Sequence, residues 1–405
     1  MPIRWRGTAL GGLVLLSVAG LWACSGSSQD EVKTQRIAAG GTHTCVLTDG
    51  DVSCWGNNFY GQLGTDELAD VIPVRTKSVD LGERAVDLAV GDAFSCAVVE
   101  SGKVFCWGEN RFGHLGADTQ AKYSRVPAEV VGIDAAVAVG AGDHHACAVL
   151  DNGALRCWGW NYSGQLGNGK AGENAFAPEK VGGLQNVRQV DGGMNHTCAV
   201  TNAGEVFCWG SNILGSLGDG SQSDRLRPVK VAGLPGPARS VALGAGHTCA
   251  ILEDGRAFCW GANAYGQMGN GRFSRDTELN AAPQPVGNID EIAGLTAGDQ
   301  HTCAFAEKGP VYCWGSNSGG QIGALGEMGC FLQAFTCQLD PIAVAQLLDD
   351  EPPVSISAGF NHTCVLYKDG ASMCWGGNGV GQLGDGSTVD SLEPVTTVGE
   401  GTLGQ

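Results

Sequence analysis

The chain has 405 residues and a formal net charge of −18 at pH 7, with 42 acidic residues against 24 lysines and arginines. An acidic surface repels phosphate backbones, whose binding depends on clustered lysine and arginine, so no nucleic-acid partner is expected. The 65 glycines are spread along the chain and exclude an architecture of long helices, since each one costs a helix about 1 kcal/mol.

The first 23 residues are predicted to be a secretion signal. Arg4 and Arg6 precede an apolar stretch over residues 9–23, which is too short to span a bilayer. The stretch ends in Leu-Trp-Ala-Cys24, which resembles the lipobox of bacterial lipoproteins, in which the cysteine becomes the lipid-modified N-terminus. We therefore expect lipidation at Cys24, with an ordinary signal peptide and a chance cysteine as the alternative.

Residues 24–35 have the polar composition of a flexible tether. Acyl chains at Cys24 would hold the protein at a membrane without a transmembrane helix. Cleavage after residue 23 removes two arginines and no acid, and so takes the net charge from −18 to −20. We expect a monomer anchored in the bacterial cell envelope, at the outer membrane or the cell surface.

Residues 36–405 contain seven copies of one unit, in which a cysteine is followed nine or ten residues later by Cys-Trp-Gly. A period near 50 indicates one supersecondary unit stacked on itself. Apolar residues alternate around a turn ending in glycine, such as Asp49-Gly50, and indicate a β-hairpin. Two further strands per copy, one around a proline with a valine after it and one around a Val-x-x-Val-Ala-like segment, predict an all-β, seven-bladed β-propeller with about four strands per blade.

The repeated strings Gly-x-x-His-Thr-Cys and Cys-Trp-Gly-x-Asn-x-x-Gly-Gln-Leu-Gly resemble repeats of the regulator of chromosome condensation family over residues 36–400. The resemblance implies a seven-bladed propeller, here in an exported bacterial lipoprotein with paired cysteines. The founding member of that family acts on chromatin and on a small GTPase. Export and the acidic charge argue against both roles, so no GTPase partner is expected. A kelch propeller, of similar period but different signature, is the alternative.

The two ends of the array predict how the ring closes. The seventh copy ends after Pro394 and Val395 without the strand that follows this pair in other copies. The segment Arg36–Gly40 looks like that missing strand. We therefore predict that the N-terminal strand pairs into the last blade.

The cysteines fit an exported protein. Across each hairpin turn the two cysteines fall opposite one another, as cross-strand disulfides require. One more pair lies in an insertion over about residues 324–350 of blade six, and with Cys24 lipidated none of the 17 cysteines is left over. The expected bridges are Cys45–Cys54, Cys96–Cys106, Cys147–Cys157, Cys198–Cys208, Cys249–Cys259, Cys303–Cys313, Cys330–Cys337 and Cys364–Cys374. Such bridges persist in an oxidising compartment.

Metal and cofactor binding are not expected, because no Cys-x-x-Cys or His-x(3–5)-His spacing occurs. One histidine stands two residues before the first cysteine in every copy except the second, which has Phe94 there. A repeated position that accepts phenylalanine indicates packing or blade-to-blade hydrogen bonding. His114 and His144 fall outside this register and are expected to be solvated. The aspartate loops 219–224 and 385–390 faintly resemble calcium loops, although aspartate with glycine is also ordinary turn chemistry.

No nucleophile-elbow, zinc-protease or phosphate-loop motif occurs, so the protein is not expected to be an enzyme. We predict an envelope-anchored module that binds a protein or a glycan. The alternatives are a structural or surface-display propeller without a ligand, and an enzyme that uses one propeller face. Aromatic and arginine side chains are typical of binding hot spots, although packing within blades is the other interpretation. The predicted ligand-binding residues are Phe59, Tyr60, Arg111, Phe112, Trp160, Tyr162 and Tyr265, with Phe331 and Phe335 in the insertion.

Overall fold

A computed structural model describes residues 35–274, 280–328, 330, 336–348 and 352–399. All regular secondary structure in these residues is β, and it forms seven antiparallel sheets, each of which is one blade of a propeller. None of the described residues forms a helix long and apolar enough to cross a bilayer. The predicted signal, Cys24 and the tether up to residue 34 lie outside the described residues.

The first two strands of each blade differ in what surrounds them. The first strands line a central channel of about 340 Å³, and they are β1 (Gln35–Ala39), β5 (Ala85–Val90), β9 (Ala136–Ala141), β13 (Val187–Gly192), β17 (Ala238–Leu243), β21 (Ile292–Ala297) and β26 (Ser355–Ala358). The second strands are almost wholly buried, because neighbouring blades cover both faces. They are β2 (His43–Thr48), β6 (Phe94–Val99), β10 (His145–Leu150), β14 (His196–Thr201), β18 (His247–Leu252), β22 (His301–Ala306) and β27 (His362–Leu366).

The third and fourth strands of each blade lie farther from the channel than the first two. The third strands, which carry Cys-Trp-Gly, are β3 (Asp51–Asn57), β7 (Val104–Glu109), β11 (Leu155–Gly159), β15 (Val206–Gly210), β19 (Ala257–Gly261), β23 (Val311–Ser316) and β28 (Ser372–Gly376). The outer strands are β4 (Val71–Ile72), β8 (Tyr123–Glu129), β12 (Ala175–Lys180), β16 (Arg225–Lys230), β20 (Gln284–Pro285), β25 (Thr336–Ala343) and β29 (Ser391–Thr396). Blade six has a fifth strand, β24 (Glu327–Met328), which pairs with β25 at the sheet edge.

The repeated tryptophans join neighbouring blades. Each is fully buried, and its indole N–H donates to a backbone carbonyl of the preceding blade at 2.8–3.0 Å. These tryptophans are Trp55, Trp107, Trp158, Trp209, Trp260, Trp314 and Trp375. A buried indole both fills the space between two sheets and satisfies its only donor, which explains why each blade carries one.

The repeated histidines form a belt of hydrogen bonds between blades. In six of the seven interfaces, Nε2 of the histidine lies 2.7–2.9 Å from a hydroxyl oxygen of the next blade. That hydroxyl donates its own proton to a backbone carbonyl, so the histidine Nε2–H must be the donor. The belt consists of His43, His145, His196, His247, His301 and His362. Blade-to-blade hydrogen bonding is therefore the role of this position.

The prediction for ring closure is wrong. β1 pairs with β2 inside blade one, where Ile37 lies opposite Val46, and the last blade has its own first strand, β26. The strand that follows the proline segment of one copy is the first strand of the next blade. For the same reason β1 is the first strand of blade one.

The ring closes by side-to-side contact between blades seven and one. The backbone N–H groups of Ile37 and Ala39 donate to Ser355 Oγ and Ser357 Oγ at 3.2 and 2.9 Å. Arg75 of blade one also forms an isolated parallel bridge with Gly399, which lies near the C-terminus. The interface has the tryptophan bond of every other interface and the histidine bond of all but one, so blade seven is an ordinary neighbour of blade one.

The structure contains all eight expected disulfides. In the seven hairpins the paired cysteines lie directly opposite each other with Cα–Cα distances of 4.0–4.1 Å, and both partners are buried. The eighth bridge, Cys330–Cys337, has a Cα–Cα distance of 6.1 Å and lies within the blade six insertion, where it joins Cys330 to β25. The seven hairpin bridges hold the second and third strands of each blade together.

Candidate functional site

Two sets of loops open on the same side of the propeller. In an up-and-down sheet the loop between the first and second strands lies on the same side as the loop between the third and outer strands. Backbone bonds join the two sets, as from Asn57 N to Thr42 O at 3.0 Å and from Trp160 N to His144 O at 2.8 Å. We call this side the loop face. All the predicted ligand-binding residues that the structure describes lie in these loops.

The consensus asparagine fixes the longer loop in every blade. Its side-chain oxygen accepts the backbone N–H five residues later at 3.0–3.3 Å. Its amide nitrogen donates to carbonyls farther along the loop, as from Asn58 to Glu67 O and Ala69 O, both at 3.1 Å. No role was predicted for this residue, although its presence in every copy indicates one. The loops are therefore presented on a fixed frame.

Six predicted residues form two groups of contacting side chains across blades one to three, and the groups meet at two residues that are neighbours in the chain. We call these six residues the aromatic arc: Phe59, Tyr60, Arg111, Phe112, Trp160 and Tyr162. At its start the Phe59 and Tyr60 rings meet edge to face with centroids 4.9 Å apart. Arg111 Nη2 donates to the Tyr60 hydroxyl at 2.6 Å, and the guanidinium carbon lies 5.1 Å from the ring centroid. Such a cation–π contact is favourable and orders the arginine.

The second half of the arc is a stack of rings. Phe112 stacks on Trp160 with centroids 5.7 Å apart, and Trp160 stacks on Tyr162 at 6.1 Å. Phe59 and Tyr162 remain 56% and 71% exposed, whereas Tyr60, Phe112 and Trp160 are half-buried. The arc thus combines inner rings that pack with outer rings that face solvent.

Tyr265 lies apart from the arc. It lines a recess of about 430 Å³ between blades four and five, together with Met194, Ile213 and Leu214. Ile213 is 69% exposed, so this recess also presents apolar surface on the loop face. Phe331 and Phe335 lie outside the described residues.

Three carboxylates stand where the channel opens on the loop face. Asp92, Asp143 and Asp299 each follow the glycine that begins a loop between a first and a second strand. Burial, together with Asp92 and Asp299, raises the pKa of Asp143 to about 7. Burial also raises the pKa of Asp92 and of Asp299. A cation placed here would relieve the mutual repulsion of these groups.

His114 is not solvated as predicted, since its side chain is fully buried between blades two and three. It stacks on Phe94 with ring centroids 5.0 Å apart. His144 is half-buried and contacts His114, Phe112 and Trp160 with centroids 5.5–5.6 Å away. Glu109 completes a group whose ligand atoms lie within 4.8 Å of one another. The sequence signal was present, because both histidines depart from the repeat.

The two aspartate loops are turns stabilised by their own side chains. Asp219 Oδ1 accepts from Ser221 N at 2.9 Å, and Asp219 Oδ2 is paired with Arg225 at 2.7 Å. Asp385 Oδ1 accepts from Ser387 N at 2.9 Å in the matching turn of blade seven. These oxygens already accept protein hydrogen bonds, which is ordinary turn chemistry.

Comparison with known proteins gives relatives that share this propeller. Over 371 residues the chain is 32% identical to the ultraviolet-B receptor UVR8 of Arabidopsis thaliana, covering 89% of this chain and 81% of UVR8. It is 29% identical to the human E3 ubiquitin-protein ligase HERC2 over 367 residues, but spans only 7% of that protein.

Solved structures show the same fold. Prp20p of Saccharomyces cerevisiae, studied for its binding to Gsp1p and histones, superposes with a TM-score of 0.75 at 22% identity, covering 87% of this chain and 86% of that one. Human WBSCR16 superposes with a TM-score of 0.71 at 23% identity, covering 84% and 88%.

Family comparison covers nearly the whole propeller. Residues 22–347 match the RCC1-like domain, and residues 354–382 match the regulator of chromosome condensation (RCC1) repeat. The chain therefore belongs to the family of RCC1-like propellers.

Proposed function

We propose that this protein is a non-catalytic binding module that uses the loop face of blades one to five to hold a protein partner at the bacterial cell envelope. The observation that supports it is the aromatic arc, in which six side chains from three blades form two contacting groups that meet at the neighbouring residues Arg111 and Phe112. A few residues carry most of the binding energy at protein interfaces, and these are enriched in tryptophan, tyrosine and arginine.

Two features of the loop face support a protein partner of defined chemistry. The exposed outer rings of the arc and the recess beside Ile213 offer apolar surface at separate places, as an extended partner surface requires. On the same face, Asp92, Asp143 and Asp299 favour a partner that carries basic groups. Prp20p, a propeller of this fold, was studied for its binding to proteins.

Placement at the envelope rests on the sequence. The apolar N-terminal stretch, Cys24 and the polar residues after it support export and lipid anchoring. Hairpin bridges in every blade support an oxidising compartment, because disulfides are rare in the cytosol. Neither the family founder's GTPase nor nucleic acid fits this location and charge.

The test compares two sets of exposed apolar side chains on the same face. The variant Phe59→Ala/Tyr162→Ala/Ile213→Ala removes the most exposed groups of the arc and the recess. The control Leu325→Ala/Val389→Ala removes side chains that are 82% and 71% exposed in blades six and seven. Neither set lies in the core, so both variants should keep the wild-type melting temperature.

The wild type and the two variants are each immobilised and incubated with solubilised envelope from the bacterium that produces this protein. We expect capture of one defined protein by the wild type and the control, and a loss of at least about tenfold in the triple variant. Capture that resists protease treatment and is lost on periodate oxidation would indicate a glycan ligand instead. Equal capture by all three proteins would reject the arc as the site, and no capture would favour a display propeller.

A further inference from the structure

The interface between blades two and three departs from the repeat at several positions. Where other interfaces pair a histidine with a hydroxyl, this one has Phe94 opposite Ala146, so the belt bond is missing here. The position that holds glutamine in five blades and Ser216 in another is His114 in blade two. Glu109 and His144 likewise occupy positions where no other blade has an acid or a histidine. These departures meet at one place.

From this convergence we propose that Glu109, His114 and His144 form a binding site for a transition-metal dication of the zinc class, which bridges blades two and three. Two imidazoles and one carboxylate are a donor set that zinc uses, with a further position open to water. Imidazole also suits copper and nickel, so the site is defined by its donors. Blade two supplies Glu109 and His114, and blade three supplies His144.

The hydrogen bonding of His114 prepares it as a ligand. Its Nδ1 lies 3.0 Å from the carbonyl oxygen of Glu109. A carbonyl can only accept, so Nδ1 carries the proton and Nε2 presents a bare lone pair. Nε2 is buried and has no hydrogen-bond partner among the described residues. A histidine whose second nitrogen is held by a backbone carbonyl is the usual arrangement of a metal ligand.

The other two donors are close and suitably charged. All three ligand atoms lie within 4.8 Å of one another. Zinc bonds of about 2.0–2.2 Å place tetrahedral donors about 3.4 Å apart, so the ion would draw the donors together by about 1 Å. Arg111 Nε holds Glu109 Oε1 at 3.1 Å, which leaves the second carboxylate oxygen for the ion.

The belt histidines provide an internal contrast. Several of them also have an unpartnered Nδ1, as His145 does. That atom, however, is pressed against a glycine of its own loop, where a Cβ built on Gly142 would lie 2.8 Å from it. Among the described residues, no group of three possible metal ligands includes a belt histidine. An unpaired nitrogen is thus common to both kinds of histidine, but the convergence of three donors is peculiar to His114.

Residues found at the same positions of other blades give substitutions that the fold should tolerate. His114→Gln restores the residue of blade one, and His144→Asn restores the residue of blades four and seven. Zinc binding is measured by calorimetry on the purified, oxidised protein after chelator treatment. We expect one zinc per wild-type chain, and binding at least about tenfold weaker in each variant. Gln165→His places a histidine at the same position of blade three without the other two donors, and should add no second zinc.

A second readout separates this site from adventitious binding. Zinc should raise the melting temperature of the wild type, because it binds the folded chain across an interface, and should leave that of His114→Gln unchanged. X-ray absorption of the zinc complex should show two imidazole ligands. The proposal is overturned if the wild type binds no zinc, or if both consensus variants bind it as tightly as the wild type. Should His114→Gln fail to fold, His144→Asn decides.

Discussion

At the scale of single residues, Phe94 and Ala146 depart from the repeat together, and the loss of one polar group accounts for the loss of the other. The belt bond needs a histidine in one blade and a hydroxyl in the next, and the interface between blades two and three has lost both partners, as Phe94 and Ala146. Loss of one partner alone would leave a buried polar group unsatisfied, at a cost of about 1–3 kcal/mol. Loss of both leaves an apolar contact, which the stacking of Phe94 on His114 completes.

The pairing of these two positions can be tested by restoring the consensus. Phe94→His alone should destabilise the protein, because the new ring nitrogen has no hydroxyl to bond. Phe94→His with Ala146→Thr should recover part of that loss, with a favourable coupling of about 1 kcal/mol. Chemical denaturation of the wild type, Phe94→His, Ala146→Thr and the double variant, with a metal chelator present, measures the cycle. Strictly additive effects would show that the two positions are independent.

At the scale of elements, the sequence predicted the hairpins and their bridges but misassigned one strand. The Cys-Trp-Gly spacing predicted which residues face each other, because a short turn leaves only one register. The period of a repeat does not show where a blade begins, so the strand after Pro-Val was joined to the preceding copy. The topology of β1 and β26 corrects this.

A disulfide between the second and third strands of a blade should stabilise the propeller more than the disulfide in the blade six insertion. Replacing Cys198 and Cys208 with alanine opens a bridge buried between β14 and β15, and should cost about 2–3 kcal/mol of unfolding free energy. The matched pair Cys330→Ala/Cys337→Ala opens the bridge of the blade six insertion, and should change the main unfolding transition less. Thermal scans of both variants provide the comparison. An equal loss in the two would mean that the bridges do not brace the blades.

The candidate site was less predictable than the strands. Variable loop positions pointed to Phe59 and Tyr162, since hydrophobic residues that change from blade to blade are not needed by the repeat. The contact of His114 with Glu109 and His144 could not be read from the sequence, because it depends on how two blades pack. Residues far apart in the chain meet there only after the ring has formed.

At the scale of the whole molecule, the buried histidines make stability depend on pH. Burial lowers the pKa of His43, His114, His145, His196, His301 and His362 to about 3, and that of His247 to about 4. The unfolded chain takes up protons at these rings below about pH 6.5, whereas the folded chain does not. Stability from the histidines is therefore lost as the pH falls.

Buried carboxylates act in the opposite sense, and burial raises the pKa of Asp92, Glu109 and Asp299 as well as that of the two raised furthest. Burial raises the pKa of Asp143 and of Asp191 to about 7, so the folded chain holds these protons longer than the unfolded chain does. Their contribution falls as the pH rises from about 4 to 7. The histidines outnumber them, and we expect the melting temperature to drop between about pH 7 and pH 5. A melting temperature that is equal or higher at the lower pH would contradict this assignment.

Photo-crosslinking in the cell tests most directly which face of the ring contacts a partner. A photo-crosslinking amino acid is placed at Tyr162, in the aromatic arc, or at Lys308, an exposed residue in the turn between β22 and β23 on the opposite face. After irradiation of intact cells, we predict a single defined protein adduct from the Tyr162 position and none from Lys308. An adduct from Lys308 alone, or equal adducts from both positions, would contradict the assignment of the loop face as the binding surface.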